Sequence, residues 1–358
     1  MNQPHNIQDV ISQLQASLGQ KFDYDEGGLT RDMQDRNNNI APLYIKILSI
    51  LGGFLGTIAF LIFLLIAGLY ESELGMVAVG LISIALALIF NRIFHTLLLD
   101  TASISAYIVG YALLVFGLSE WQMNENMISI LCIFIAFCAL LLTRNFILVF
   151  ISVTIFSGGF LSLILINDAY NFVHFYISFL SLILTGFYLY EHKLVRANPR
   201  VSRLYSPIRM GLLFSFLFGI AIVGVRGIIP LSYNLIWLSS VFTITSILLV
   251  AWNVLDIFNY NNTGKRVLVL AGCIILLLPT GFSPAISGAI LIVLLNFFVN
   301  YKPGLVIGII AFLYFVAQFY YDLNYTLFVK SIILFVSGLF FLVFYFLLHK
   351  YFLVDEKI

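Results

Sequence analysis

From residue 43 onward the chain alternates between long apolar runs and short polar breaks. A helix crossing a bilayer needs about 20 apolar residues, with about 17 as a lower limit. The runs lie at 43–69, 74–90, 101–118, 127–142, 146–166, 172–190, 210–225, 235–254, 267–278, 285–299, 305–320 and 327–348. The pattern predicts an all-α fold, a polytopic transmembrane helical bundle of about twelve spans. One pair is irregular. The run 267–278 corresponds to about 18 Å of helix at ~1.5 Å per residue, short of a ~30 Å hydrocarbon core. Pro279, Gly281 and Pro284 break it before the chain runs back. Two short spans with Phe282 at the outer interface, or one re-entrant hairpin, both satisfy the pattern.

Residues 1–40 read differently and predict a cytoplasmic polar head. Ile7, Val10, Ile11, Leu14 and Leu18 recur on one helical face, with Asn6 as N-cap and Gly19 as stop. A short amphipathic helix on the membrane surface or on the bundle's own face is expected there. Asp23, Asp25 and Glu26 belong to a turn that lacks the further oxygen ligands of a calcium loop. No apolar core lies where a cleaved signal peptide would carry one. The bundle is expected over residues 41–350, with a cytoplasmic tail at 351–358.

Composition narrows the class. Hydrophobic residues make up 61% of the 358 and charged residues 10%, against about 25% charged in an ordinary soluble domain. A soluble fold is excluded, because such a chain cannot cover itself with polar surface. A formal net charge of +1 without a basic block argues against nucleic acid. The lipid bilayer is the first partner. Cys132, Cys138 and Cys273 all sit in apolar runs and read as packing residues.

The distribution of cations orients the spans. With the head in the cytoplasm, sixteen of the 18 Lys and Arg residues fall on cytoplasmic segments, and only Arg226 and Lys330 fall outside. That positive-inside bias predicts an N-in, C-in topology.

Ionisable and amide groups at membrane depth are the candidate functional residues, since burying them is costly. Asp100, Glu191 and Asp256 stand at span ends, within reach of cytoplasmic water, and are expected to pair with Arg92, Arg144 or the basic connection. Arg226 and Lys330 can snorkel outward. The sharper alternative has them facing an outward cavity, as an anion site or beside Asp322. Lys330 is expected to find a protein partner: Asp322, an outer acid such as Glu71 or Asp168, or helix-end carbonyls. His174 lies one turn inside its span, more often a hydrogen-bonded packing residue than a metal or proton site. Asn296 and Gln318 lie deeper, where amides bond neighbouring helices. Gly52 and Gly56, and the Ser157-Gly158-Gly159 run, permit close helix contact. No catalytic signature is present, and no cofactor or metal is expected.

Two stretches carry a resemblance. Pro42-Leu43-Tyr44-Ile45-Lys46-Ile47-Leu48 follows the head, and the run from Tyr320-Tyr321-Asp322 to Lys330-Ser331 leads into the last span. With Leu278-Pro279 and the short spans around it, the chain resembles a bacterial multi-pass family, domain of unknown function 4401, akin to family 2157. The resemblance covers about residues 8–348. Leu43 stands where that family usually has tryptophan. The resemblance implies a bacterial inner membrane and, as a partner, a membrane-anchored protein bearing a GDYxxLxY motif. It implies no activity. The major facilitator fold fits less well, because Asn91-Arg92-Ile93-Phe94-His95 lacks the Gly-x-x-x-Asp-Arg pattern.

Two functions are consistent with these residues. One is a membrane subunit or scaffold acting with an anchored partner, favoured by the scarcity of membrane-depth charge. The other is a permease for a small solute, favoured by the broken pair around Pro279 and Pro284, since discontinuous helices often line substrate sites.

Overall fold

The computed structural model describes residues 66–93, 97–143, 145–225, 227–230, 235–257, 263–322 and 326–352, together with 52, 55–56 and 58–64. The predicted amphipathic helix of the head lies outside the described residues. Every regular element among the described residues is helical. After a helical stretch at 58–64 and a 3-10 turn Leu69–Glu71 come α1 (Glu73–Ile93), α2 (Leu97–Glu120), α3 (Glu125–Leu142), α4 (Phe146–Ile166), α5 (Phe172–Leu189) and a short α6 (Glu191–Ala197). They are followed by α7 (Pro199–Gly224), α8 (Ile236–Ile257), α9 (Thr263–Leu277), a 3-10 turn Leu278–Phe282, α10 (Pro284–Phe298), α11 (Lys302–Asp322) and α12 (Leu327–Phe352). Each apolar run from residue 74 onward falls on one of these helices. Among the described residues, eight helices are long and apolar enough to cross a membrane. The chain is a helical membrane protein.

Polar residues set the helix starts. The side chains of Asn124, Asn145 and Asn198 accept from backbone N–H groups of the first turns of α3, α4 and α7, which would otherwise have no partner. Pro199 and Pro284 occupy first-turn positions, where a missing N–H costs nothing.

Two buried clusters organise the bundle. The first joins α1 to α4 around Ile84, Tyr107, Leu114, Ala139 and Leu148. Within it α1 and α2 approach through glycine. A Cβ on Gly80 would stand 2.8 Å from the Leu114 backbone nitrogen, and one on Gly110 would stand 2.9 Å from the Gly80 carbonyl oxygen. The second cluster is centred on α5, α7 and α10, with Ile177, Leu184, Leu213, Phe216, Ile220, Ala289, Leu291 and Ile292 all 1% exposed or less. Helix α4 packs on α7, and α8 and α11 complete the layer around α10.

Contacts fix the directions of the central helices. His174 near the start of α5 bonds Ser239 near the start of α8, and Thr243 of α8 meets Ser287 near the start of α10. Tyr188 at the end of α5 bonds Asn296 near the end of α10. So α5, α8 and α10 run the same way. Helix α7 runs against them, with Arg209 beside Glu191 and with a Cβ on its last residue, Gly224, colliding with Ala285. The Leu278–Phe282 turn therefore sits at the level where α7 ends. Helices α9 and α10, with 15 residues each, are shorter than the eight span-length helices.

Candidate functional site

Polar side chains line the packing surface shared by α5, α8 and α10. On α5, His174, Ser178, Ser181 and Thr185 are buried, and on α8 so are Ser239, Ser240, Thr243 and Ser246. Ser287 and Asn296 continue the set on α10. The spacing 174, 178, 181, 185 repeats at three and four residues, which places all four on one face of α5. The fourteen residues from His174 to Tyr188 correspond to about 21 Å along the helix. This seam runs nearly the whole length of α5.

Many hydroxyls in the seam bond backward along their own helices. Ser178 donates to the His174 carbonyl, Ser181 to Ser178 and Thr185 to Ser181, at 2.7–2.8 Å. Three bonds cross between helices. His174 Nδ1 lies 3.0 Å from Ser239 Oγ. Thr243 Oγ1 lies 2.8 Å from Ser287 Oγ. The Tyr188 hydroxyl donates to Asn296 Oδ1 at 2.8 Å. Other groups are left over. His174 Nε2, Arg209 Nε and the hydroxyls of Ser215, Ser240 and Ser246 are buried without a hydrogen-bond partner among the described residues. All five belong to α5, α7 and α8. Each such group costs about 1–3 kcal/mol.

One end of the seam is closed by a caged arginine. Arg209 is 6% exposed. Its guanidinium lies 3.5 Å from the Glu191 carboxylate. The rings of Tyr301, Tyr205 and Tyr188 surround it, with centroids at 3.9, 5.2 and 5.6 Å. Such contacts stabilise a desolvated guanidinium by ~2 kcal/mol or more. Tyr205 stacks on Phe187 at 4.6 Å and donates to its carbonyl. Asn296, which also donates to the Ile292 carbonyl, is pressed against Gly304, where any Cβ would collide with its amide. Among the described residues, Arg209 and Lys330 are the only buried charged side chains.

The sequence candidates fall into separate places. His174 is fully buried in the seam. Asn296 bonds a neighbouring helix, as expected of a deep amide. Gln318 does not: its amide donates to Asp322 at 3.2 Å, one turn along the same helix. Lys330 is 9% exposed and donates to the Tyr320 carbonyl at 2.8 Å, with the Tyr320 ring 5.0 Å away. Of the partners considered for it, the helix-end carbonyls at the end of α11 are the ones in contact. Asp168 accepts instead from the Tyr170 hydroxyl at 2.5 Å, and that bond raises the phenol's pKa above its ordinary value. Asp100 accepts from Asn91 Nδ2 at 3.1 Å, and Asn91 accepts from Thr143. Asp256 pairs with Arg266 at 2.6 Å. Arg226 lies outside the described residues.

The arginine cage and the hydroxyl seam were not among the sequence candidates. A search for ionisable residues passes over serine and threonine, and Arg209 reads as one more cation in a basic connection. The signal that would have found the seam is the three-and-four spacing of small polar residues within apolar runs. Among the described residues, no three His, Cys, Asp or Glu side chains come together to hold a metal ion.

Comparison with known proteins gives a family and nothing closer. No curated protein and no solved structure matches the chain. The family model described as "Domain of unknown function (DUF4401)" matches residues 42–351, which takes in all the helices that build the seam and the cage. The chain belongs to this family of domain of unknown function 4401.

Proposed function

We propose that this protein is a permease for a small solute, with its path along the seam between α5, α8 and α10. One observation carries the reading: three buried polar atoms without partners among the described residues, His174 Nε2 and the hydroxyls of Ser240 and Ser246, lie on α5 and α8. A scaffold gains nothing from burying such groups, since hydrophobic replacements would pack at lower cost. In a permease the same groups exchange partners with solute or water when the helices part. The short α10 sits at the centre of the bundle, and short or broken helices at a bundle's midplane suit solute sites.

Orientation belongs to the same proposal. The protein is placed in a bacterial inner membrane with twelve crossings and both termini in the cytoplasm. Contacts at the Arg209 end of the bundle link Asn91 to Thr143, Leu141 to Arg200 and Glu191 to Arg209. All belong to connections that the cation count assigns to the cytoplasm. Asn126 and Asn167, bonded to each other, lie at the opposite end. Reporter fusions after Asp168 and after Arg200 are expected to score periplasmic and cytoplasmic respectively; both on one side would refute the orientation.

Cysteine accessibility tests the path. In a chain with Cys132, Cys138 and Cys273 replaced by alanine, Ser181→Cys and Ser246→Cys are expected to react with a water-soluble thiol reagent in membranes. Ser83→Cys, between α1 and α2, is expected not to. Inert cysteines at both seam positions would overturn the permease reading.

The second reading, a membrane subunit working with an anchored GDYxxLxY protein, draws on a different feature. Phe156, Phe160, Phe172, Phe175 and Phe179 line an open groove of 430 Å³ between α4 and α5. Co-expression of such a partner is expected to shield Phe175→Cys from a membrane-permeant maleimide if this reading holds.

A further inference from the structure

A basic pocket opens where α6 runs into α7. Residues 191–203 hold four Lys or Arg residues, Lys193, Arg196, Arg200 and Arg203, against one acid, Glu191. That acid is committed to Arg209. The four cations are exposed, and none forms an ion pair among the described residues. Asn198, Pro199, Arg200, Arg203 and Leu204 line an open pocket of 270 Å³. Its charge comes from two guanidinium groups, and no carboxylate is among the lining residues. The Asn198 side chain already accepts from the Arg200 backbone N–H, so the pocket is defined by its arginine side chains and not by the helix end. Arg200 Nη2 donates to the Leu141 carbonyl at the end of α3, which holds that guanidinium against a neighbouring helix. A guanidinium carries further N–H donors beyond that one.

Depth selects the ligand. The 26 residues of α7 make about 39 Å of helix at ~1.5 Å per residue, about 9 Å more than a ~30 Å hydrocarbon core. Charged side chains avoid that core, so Arg200 and Arg203 put the excess at the start of the helix, and the pocket stands at the level of the headgroups. Beside it, at the α3–α4 connection that Arg200 touches, Leu141, Leu142 and Phe146 are 48–55% exposed. A soluble anion would use only the guanidinium groups. A phospholipid uses both features, with its phosphate on the arginines and its acyl chains on the apolar border. We infer that this pocket binds the phosphate headgroup of an anionic phospholipid. Arg200 and Arg203 donate to the phosphate oxygens, for which the paired N–H groups of a guanidinium are well suited. Lys193 and Arg196 add attraction from α6. Basic pockets beside membrane helices bind such headgroups. The inference is independent of the permease reading.

The test is thermal melting of the full chain in a neutral detergent, titrated with phosphatidylglycerol, phosphatidylcholine or inorganic phosphate. A ligand that binds the folded state raises the melting midpoint as its concentration passes its dissociation constant, so each titration yields an apparent affinity. Phosphatidylglycerol is expected to raise the midpoint at concentrations where the other two do not. Each cation near an anionic headgroup is worth a factor of about five in affinity. The double variant Arg200→Gln/Arg203→Gln is therefore expected to bind phosphatidylglycerol about 25-fold more weakly, judged against its own lipid-free midpoint. Should it fail to fold, Arg203→Gln alone is expected to lose about fivefold. Arg92→Gln/Lys302→Gln removes the same charge at residues that do not line the pocket and is expected to keep the parent affinity. Equal responses to phosphatidylglycerol and phosphatidylcholine, or folded pocket variants with the parent affinity, overturn the site. Inorganic phosphate matching phosphatidylglycerol overturns the lipid assignment. Equal losses in the two double variants reduce the effect to diffuse surface charge and overturn the pocket.

Discussion

The α1/α2 pair and the α5/α8/α10 seam solve the same problem in opposite ways. Lipid offers no hydrophobic force to bring helices together, so they associate through close packing and polar contacts. Helices α1 and α2 use closeness. Gly80, Gly110 and Gly117 let the two backbones touch, with each missing Cβ replaced by an atom of the other helix within 2.9 Å. Among the described residues of that half no fully buried side-chain nitrogen or oxygen lacks a partner: Tyr107 bonds Ser152, and Ser152 donates to the Leu148 carbonyl at 2.7 Å. The seam uses polarity and leaves three atoms unsatisfied among the described residues, His174 Nε2 and the hydroxyls of Ser240 and Ser246. A region that is only structural settles its hydrogen bonds. A region that keeps a cost in the resting state has a use for the groups that bear it.

That contrast can be broken most forcefully at Gly80. Gly80→Leu has no room on a face already in backbone contact and is expected to destabilise by about 3 kcal/mol or more. Thermal melting in detergent would show it, and a parent-like melt would mean that α1 and α2 are not locked. Arg209→Ala comes next. It removes a guanidinium from three rings and leaves the Glu191 carboxylate, 31% exposed, without its partner. Because that carboxylate reaches water, the expected loss is about 2–3 kcal/mol, below the range for a fully buried pair. Lys330→Met sharpens the picture at the other end. It is expected to cost about 1–2 kcal/mol by leaving the Tyr320 carbonyl without its charged donor. The smallest effect on stability is expected from Ser246→Ala. Deleting an unpaired hydroxyl should change stability by less than about 0.5 kcal/mol, or raise it. If the seam carries solute, the same change should still slow its passage.

The helical class and the approximate helix limits past residue 74 were legible along the chain. Each apolar run past residue 74 became a helix because backbone groups in hydrocarbon must bond within their own segment. The breaks at Asn124, Asn145, Asn198 and Pro284 marked where helices begin, since caps and prolines act within a few residues. These features depend on neighbours in sequence, so sequence displays them.

What only the tertiary structure decided is which polar residues meet. Nothing local tells His174 that its partner is Ser239, 65 positions away, or Tyr188 that its partner is Asn296, 108 positions away. Gln318 had an equal claim to a partner on another helix and took Asp322 on its own. Arg209 looked like a solvated cation and is caged by tyrosines from two distant segments and its own helix. The physical reason is common to His174, Tyr188 and Arg209. In an apolar bundle a polar side chain must be satisfied by whatever the packing brings near it, and packing joins helix faces that lie far apart in the chain.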